Sequence, residues 1–75
     1  MKSIKISLEK AQYVKEFVNI TQEYPYEILL KSGRFIVDAK SILGIFSLDL
    51  SQPIIVEAYS EDCDSLMEKL KKFEA

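Results

Sequence analysis

The side chain best suited to carry a chemical modification is that of Ser41. Its hydroxyl group immediately precedes an apolar run. Six of the nine residues from Ile42 to Leu50 are large and apolar. A serine in this position is typical of a helix N-cap, and a helix N-terminus also stabilises a phosphate group. We therefore predict a short helix that starts at Ser41, with Ser41 either as a plain N-cap or as a capping residue that also carries a phosphate. We expect Lys40 and Arg34 to be solvated and free to pair with that phosphate.

The apolar run contains more large side chains than a short helix can bury. A helix presents one stripe to a core, so Ile42, Ile45 and Phe46 could point inward while Leu43 could not. A domain of 75 residues has little depth in which to hide the surplus. We predict that part of this run forms an exposed apolar patch that binds another protein, the alternative being that all of it is core.

The absence of histidine excludes several classes of chemistry. The chain has no histidine, one cysteine (Cys63) and two glycines. It therefore lacks the commonest metal ligand and the usual general base, which excludes zinc sites and Ser-His-Asp catalysis. Two glycines are also too few for a Gly-rich nucleotide loop. We predict no enzymatic activity, no cofactor and no metal.

Charge and hydropathy restrict the partners and the compartment. The net charge is −2 and the pI is about 5.0, so no basic stripe is present to bind nucleic acid. No run approaches 18 apolar residues, and Lys2 and Lys5 are not followed by the apolar segment of a signal peptide. A single cysteine fits a reducing compartment. We expect one cytoplasmic domain over residues 1–75, with no nucleic acid and no membrane partner.

Seven elements follow from the spacing of polar and apolar residues. The predicted order is β-α-β-β-α-β-α: a strand at 3–8, a helix at 9–24, strands at 26–31 and 34–38 joined by a turn at 32–33, a helix from 41, a strand at 54–59 and a helix after 60. Pro25 should end the first helix. This order predicts an α+β domain in which three helices cover one face of a four-stranded antiparallel sheet.

The segment that contains Ser41 resembles a known family. Residues 40–48 read Lys-Ser-Ile-Leu-Gly-Ile-Phe-Ser-Leu, similar to the Lys-Ser-Ile-(Met/Leu)-Gly-(Val/Leu)-(Met/Leu)-Ser-Leu segment of HPr, the phosphocarrier of the bacterial phosphoenolpyruvate:sugar phosphotransferase system. The resemblance implies an open-faced β-sandwich with strand order 1-4-2-3. It also implies that Ser41 is the regulatory phosphorylation site. The residues implied to contact HPr kinase, a CcpA-like regulator or an Enzyme I-like protein are Lys40, Ile42, Leu43, Phe46 and Ser47.

The chain departs from this family where the phosphoryl-accepting histidine is expected. The family's Gly-(Leu/Ile)-His-Ala-Arg-Pro-Ala loop corresponds to residues 8–14, Leu-Glu-Lys-Ala-Gln-Tyr-Val. Lys10 falls near the histidine position and Gln12 near the arginine position. A lysine, whose reference pKa is about 10.4, is protonated at neutral pH and is a poor phosphoryl acceptor. The hypothesis is an HPr-like protein without carrier chemistry, as in the HPr paralogue Crh, which lacks the histidine and keeps the serine.

Two other functions are compatible with the same residues. One is a phosphocarrier with a non-standard acceptor. The other is a self-associating structural domain that pairs two copies through an exposed strand edge or the apolar turn. We expect a monomer or a weak homodimer.

Overall fold

One layer of the molecule is a four-stranded antiparallel sheet. The computed structural model describes all of residues 1–75, with the following elements: β1 (Lys2–Ile6), α1 (Ala11–Thr21), β2 (Ile28–Ser32), β3 (Phe35–Asp38), α2 (Ile42–Phe46), β4 (Ile54–Ala58) and α3 (Asp64–Leu70), which continues into a 3₁₀ turn (Lys71–Phe73). The strand order is β1-β4-β2-β3. The predicted α+β class and the order implied by the resemblance are both confirmed.

Alternation along the strands separates the two faces of the sheet. In the central strand β4, Ile54, Val56 and Ala58 are buried, whereas the residues between them are half-buried. Val56 lies opposite Ile4 of β1 and Leu30 of β2, so one row of apolar side chains crosses the sheet. Because successive strand residues point to opposite faces, this pattern places the core between the sheet and the helices and leaves the other face open to solvent.

Helix α1 is shorter than predicted because its last turn is anchored to another part of the chain. It buries Val14, Phe17, Val18 and Thr21, which follow one another at helical spacing, but it ends at Thr21 instead of Tyr24. The Thr21 hydroxyl bonds the carbonyl of Val18 at 2.9 Å and that of Ala39 at 3.1 Å. Residues 22–24 form a turn that leads to Pro25, where a helix cannot continue.

Helix α3 starts later than predicted because the preceding residues form a turn of their own. The Ser60 hydroxyl accepts a hydrogen bond from the Asp62 backbone N–H at 3.1 Å. This local bond competes with the helix for residues 60–62. Asp64 is therefore the only acidic residue in the first turn of α3. Cys63, Leu66, Leu70 and Phe73 are buried, and Met67 between them is half-buried against the core.

The ends of the sheet differ in what covers them. The β2–β3 turn consists of Gly33 and Arg34, one residue later than predicted, and Gly33 adopts a φ of +59° that suits glycine. At the other edge the C-terminal residues pair with β1: Ser7 N–H donates to the Phe73 carbonyl at 2.8 Å, and Ala75 N–H donates to the Lys5 carbonyl at 3.1 Å. None of the helices is long and apolar enough to cross a membrane.

Candidate functional site

Ser41 is the N-cap of α2. Its backbone is extended, with φ −104° and ψ 107°, and its Oγ accepts a hydrogen bond from the Gly44 N–H at 3.1 Å. Its carbonyl accepts the first helical bond, from the Ile45 N–H at 3.0 Å. The predicted N-cap is confirmed, and Ser41 as a residue is half-buried.

Gly44 allows the cap to sit close to the helix and to β3. A Cβ added at Gly44 would lie 3.2 Å from the Ser41 Oγ and 3.4 Å from the Val37 Cβ. The distance to the Ser41 Oγ is shorter than an ordinary contact, whereas the distance to the Val37 Cβ is an ordinary van der Waals contact, so a larger residue would press on the Ser41 side chain that caps the helix. The absence of a side chain at Gly44 therefore allows the Ser41 hydroxyl and β3 to lie close to the first turn of α2.

Three side chains of α2 form an exposed apolar patch, here defined as Ile42, Leu43 and Phe46. Leu43 is 82% exposed, Phe46 46% and Ile42 37%, whereas Ile45 is fully buried. The exposure of Leu43 agrees with the prediction, and of the three residues that could point inward only Ile45 is buried, whereas Ile42 and Phe46 remain partly exposed. A helix of five residues buries little more than one side chain per turn, and here Ile45, followed by Leu48, occupies the core.

Lys40 is engaged within the molecule, so the expectation that it is solvated is wrong. Its Nζ donates to the Tyr24 carbonyl at 2.6 Å and to the Tyr26 carbonyl at 2.9 Å. Its backbone N–H donates to the Asp38 Oδ1 at 2.9 Å. The ammonium thus ties the loop between α1 and β2 to the residue that precedes the cap.

The charges around Ser41 direct an added phosphate outward. The Asp38 carbonyl accepts from the Ser41 N–H at 3.0 Å, so the Asp38 carboxylate lies on the adjoining turn. Lys40, the neighbouring cation, already binds two carbonyls. Ser47, at the other end of α2, is exposed, and its hydroxyl donates to the Gly44 carbonyl at 2.6 Å. A phosphate on Ser41 would find the Gly44 N–H but no uncommitted ammonium on the neighbouring residue.

Lys10 and Gln12 lie on a different element from Ser41. Lys10 is the N-cap of α1 and makes no capping bond with its side chain; its Nζ lies 5.6 Å from the centre of the Tyr13 ring. Gln12 is exposed in the first turn of α1. No hydrogen bond or ion pair connects either side chain to α2.

The exposed apolar residues of β3 were not predicted from the sequence. Phe35 is 68% exposed and Ile36 57%. The alternation in residues 34–38 resembles that of any hairpin strand, and only the position of β3 at the edge of the sheet leaves these side chains uncovered. Phe35 also borders an open depression of about 470 Å³ between the hairpin turn and the loop after α2.

Comparisons with known proteins connect this fold with one family. The family model PTS-HPr, described as "PTS HPr component phosphorylation site", matches residues 7–75. Similar solved structures include HPr-C-His from Thermoanaerobacter tengcongensis, with a TM-score of 0.81 and 26% identity over 96% of this chain and 89% of that one. The phosphocarrier protein HPr from Bacillus anthracis gives a TM-score of 0.74 and 25% identity over 99% and 94%.

A third similar structure is that of the catabolite repression protein Crh from Bacillus subtilis. It gives a TM-score of 0.67 and 29% identity over 89% of this chain and 78% of that one, and it is described as an intertwined dimer with a swapped domain. A comparison with curated protein sequences gave no match.

Proposed function

This chain belongs to the PTS-HPr family, and from that premise we propose that it is a protein-binding regulatory member controlled by phosphorylation of Ser41. Proteins of this family are phosphocarriers and not catalysts. The carrier step in the family needs a histidine, and this chain has none. The proposed role therefore uses the second recognisable part of the family pattern, the segment Ser41–Leu48.

The observation that carries the proposal is a capping hydroxyl beside an exposed apolar patch. Ser41 starts the same turn of helix from which Leu43 projects with 82% of its surface exposed. Exposed large apolar side chains that cluster in this way are typical of protein-binding surfaces. A modification at Ser41 would change the charge at the border of that surface without altering its shape.

Phosphorylation of Ser41 would act on partner binding through its negative charge. A phosphate adds about −1.5 to −2 charges at neutral pH. Because Lys40 is bound to two carbonyls and Asp38 is negative, we expect this charge to stay unneutralised within the chain and to face a partner. A partner with an arginine beside an apolar groove would then bind the phosphorylated form, since guanidinium pairs with phosphate in a bidentate geometry. The candidate partners are HPr kinase, a CcpA-like regulator and an Enzyme I-like protein.

Intact-mass measurement after incubation with HPr kinase and ATP tests the proposal. The wild type should gain one phosphoryl group, and Ser41→Asn should gain none. Asparagine also caps helices well, so this variant removes the modifiable hydroxyl while retaining a capping acceptor. An unmodified, folded wild type, or a phosphoryl group that persists in Ser41→Asn, would contradict the proposal.

The same assay tests the apolar patch. If the kinase docks on the patch, Leu43→Glu should lower kcat/KM for phosphorylation by at least about tenfold, as expected for an interface anchor. The control is Asn19→Glu, which adds the same charge to an exposed position of α1 and should change kcat/KM less than twofold. Equal rates for the two variants would show that the patch is not the docking surface.

The competing function is a carrier with an unusual acceptor. It is favoured by the family model itself, which describes a phosphorylation site and whose match includes Lys10. Lys10 at the N-cap of α1 is exposed, but an amine accepts a phosphoryl group only after losing its proton. Incubation with Enzyme I and phosphoenolpyruvate should therefore leave the mass unchanged, and an acid-labile phosphoryl group would establish the carrier function instead.

A further inference from the structure

The outer edge of β3 presents unpaired backbone groups. β3 is the last strand in the sheet and pairs only with β2. The two-residue turn makes Ser32 and Phe35 a hydrogen-bonded pair, and Ala39 N–H donates to the Ile28 carbonyl at 2.9 Å in the same register. Because bonded and non-bonded pairs alternate in an antiparallel ladder, Phe35 and Val37 bond to β2. The N–H and C=O of Ile36 therefore point away from the sheet.

β3 is the edge of the sheet that the chain leaves uncovered. The edge at β1 is partly closed by the C-terminal residues, whose backbone bonds reach Lys5 and Ser7. At β3, in contrast, Ile36 is 57% exposed and Phe35 68% exposed beside the free backbone groups. An exposed apolar edge strand is a site for the addition of another strand.

The residues that flank Ile36 identify the added strand. Arg34 lies two residues before Ile36 and Asp38 two residues after it. If two copies of β3 pair antiparallel about a two-fold axis at Ile36, each Arg34, in the turn just before β3, comes next to Asp38 at the end of β3 in the other copy. Neither residue takes part in any of the five ion pairs within the chain. Opposite charges directly across an antiparallel pair are stabilising, so this register is complementary to itself.

We propose that β3 is a homodimerisation edge, in which a second copy of this chain adds its own β3 to form a continuous eight-stranded sheet. Ile36 then exchanges both backbone hydrogen bonds with its counterpart, because its N–H and C=O are the groups that face outward. Phe35 lies opposite Val37 of the second copy. The two-fold axis is perpendicular to the sheet, so the helices of both copies, with both Ser41 residues, lie on the same side.

The dimer is weak, and it is independent of the proposed regulatory function. One short strand pair buries less area than a stable complex needs, so we expect the dimer to form only at high protein concentration. It also differs from a swapped dimer, because each chain keeps all of its own elements and no part of the fold has to open.

Charge substitutions with sedimentation velocity, over protein concentrations from micromolar to millimolar, test the pairing. Arg34→Glu and Asp38→Lys should each raise the dissociation constant roughly tenfold, because each places like charges opposite one another at two symmetric positions. An equimolar mixture of the two variants should associate again, since the heterodimer restores opposite charges. Lys5→Glu changes the net charge by the same amount as Arg34→Glu, at the far edge of the sheet, and should behave like the wild type.

Two results of the sedimentation experiment would overturn the proposal. A wild type that stays monomeric at millimolar concentration excludes the dimer. Association that is unaffected by Arg34→Glu indicates another interface, such as a swapped β1 or the apolar patch. Circular dichroism shows whether Asp38→Lys still folds, since Asp38 Oδ1 also binds the Lys40 N–H. If it does not fold, Arg34→Glu and disulfide formation by Ile36→Cys and Phe35→Cys decide whether β3 pairs in this register.

Disulfide formation tests the register. Ile36→Cys should oxidise rapidly to a covalent dimer, because two residues directly opposite in a bonded pair have their Cα atoms about 5.5 Å apart, within disulfide range. Phe35→Cys is the matched control: its counterpart is offset by two residues and lies about 8 Å away, beyond that range. The native Cys63 is buried and contributes little to either reaction. Equal oxidation rates for the two variants would overturn the register.

Discussion

The oxygen of Ser41 has a structural function whether or not it is ever phosphorylated. It accepts the Gly44 N–H at 3.1 Å and so satisfies one of the free donors at the start of α2. This bond depends only on residues within one turn of helix, which is why the serine could be recognised as a cap from its position in the sequence. The usual alanine substitution would remove both the phosphorylation site and the cap.

We therefore predict different stabilities for two substitutions of Ser41. Ser41→Ala should lower the free energy of unfolding by about 1 kcal/mol, because the Gly44 N–H loses its acceptor. This corresponds to a thermal midpoint roughly 4–8 °C lower for a domain of this size. Ser41→Asn should stay close to the wild type. Urea denaturation followed by circular dichroism measures both, and equal stability of Ser41→Ala and the wild type would show that the cap bond contributes nothing.

At the scale of elements, α2 is positioned by contacts that come from distant parts of the chain. The Lys40 ammonium binds carbonyls of the loop between α1 and β2, 14 and 16 residues earlier in the sequence. The Thr21 hydroxyl at the end of α1 binds the Ala39 carbonyl on the same side. The loop and the start of α2 are therefore a single unit, joined by polar side chains that reach backbone carbonyls.

Removing the Lys40 ammonium should loosen that unit. Lys40→Met retains most of the apolar stem but leaves the Tyr24 and Tyr26 carbonyls without their donor, at an expected cost of about 1–3 kcal/mol in stability. Hydrogen exchange should accelerate locally, above all at the Tyr24 N–H, which bonds to the Thr21 carbonyl at 3.2 Å.

The control for this experiment is Lys15→Met. Lys15 is exposed on α1 and takes part in no ion pair, so its replacement should change neither stability nor exchange at Tyr24. If Lys40→Met exchanged at the wild-type rate, the ammonium would be dispensable for holding the loop.

At the scale of the whole molecule, ionisation is arranged so that little changes near neutral pH. The hydroxyl of Tyr59 and then the ammonium of Lys31 hydrogen-bond Glu57 and lower the pKa of its carboxyl group. Hydrogen bonds from Ser51 lower the pKa of Asp49. Hydrogen bonds to Glu57 and Glu23 raise the pKa values of Lys31 and Lys69, respectively. With no histidine in the chain, these shifts all move titration away from neutrality.

The stability of the protein should therefore be nearly independent of pH between about pH 5 and about pH 9. A lowered carboxyl pKa gives stability that is present above the unfolded pKa, near 4, and is lost as the pH falls through the folded pKa. A raised lysine pKa gives stability that is present below the unfolded pKa, above 10, and is lost as the pH rises through the folded pKa.

Urea denaturation midpoints from pH 3 to pH 11 measure this plateau. Glu57→Gln should reduce the loss of stability as the pH falls below about 5. Glu61→Gln, a substitution in an exposed loop, should not. A midpoint that changed steeply between pH 6 and pH 8 would contradict the prediction, because it would require a group whose pKa lies near neutrality and differs between the folded and unfolded states, and the chain has no histidine.

The order of the elements and the Ser41 cap could be predicted from the sequence because both depend on residues that are neighbours in the chain. Strand alternation, the stripe of α1 and the position of Ser41 repeat over two to four residues, and they predicted the element types and the α+β class. The ends of the elements were less accurate: α3 begins at Asp64 because a turn at Ser60 competes with the helix. The strand order followed from the family resemblance and not from periodicity.

Exposure and pairing were decided by the tertiary structure. Ile42 and Phe46 remain partly exposed because Ile45 alone fills the space that α2 offers the core. Lys40 is engaged because a loop that is distant in sequence presents two carbonyls to it. Phe35 and Ile36 are uncovered because β3 is the last strand of the sheet. The sequence determines which face of each element is apolar, but only packing determines what covers that face, because burial depends on residues far along the chain.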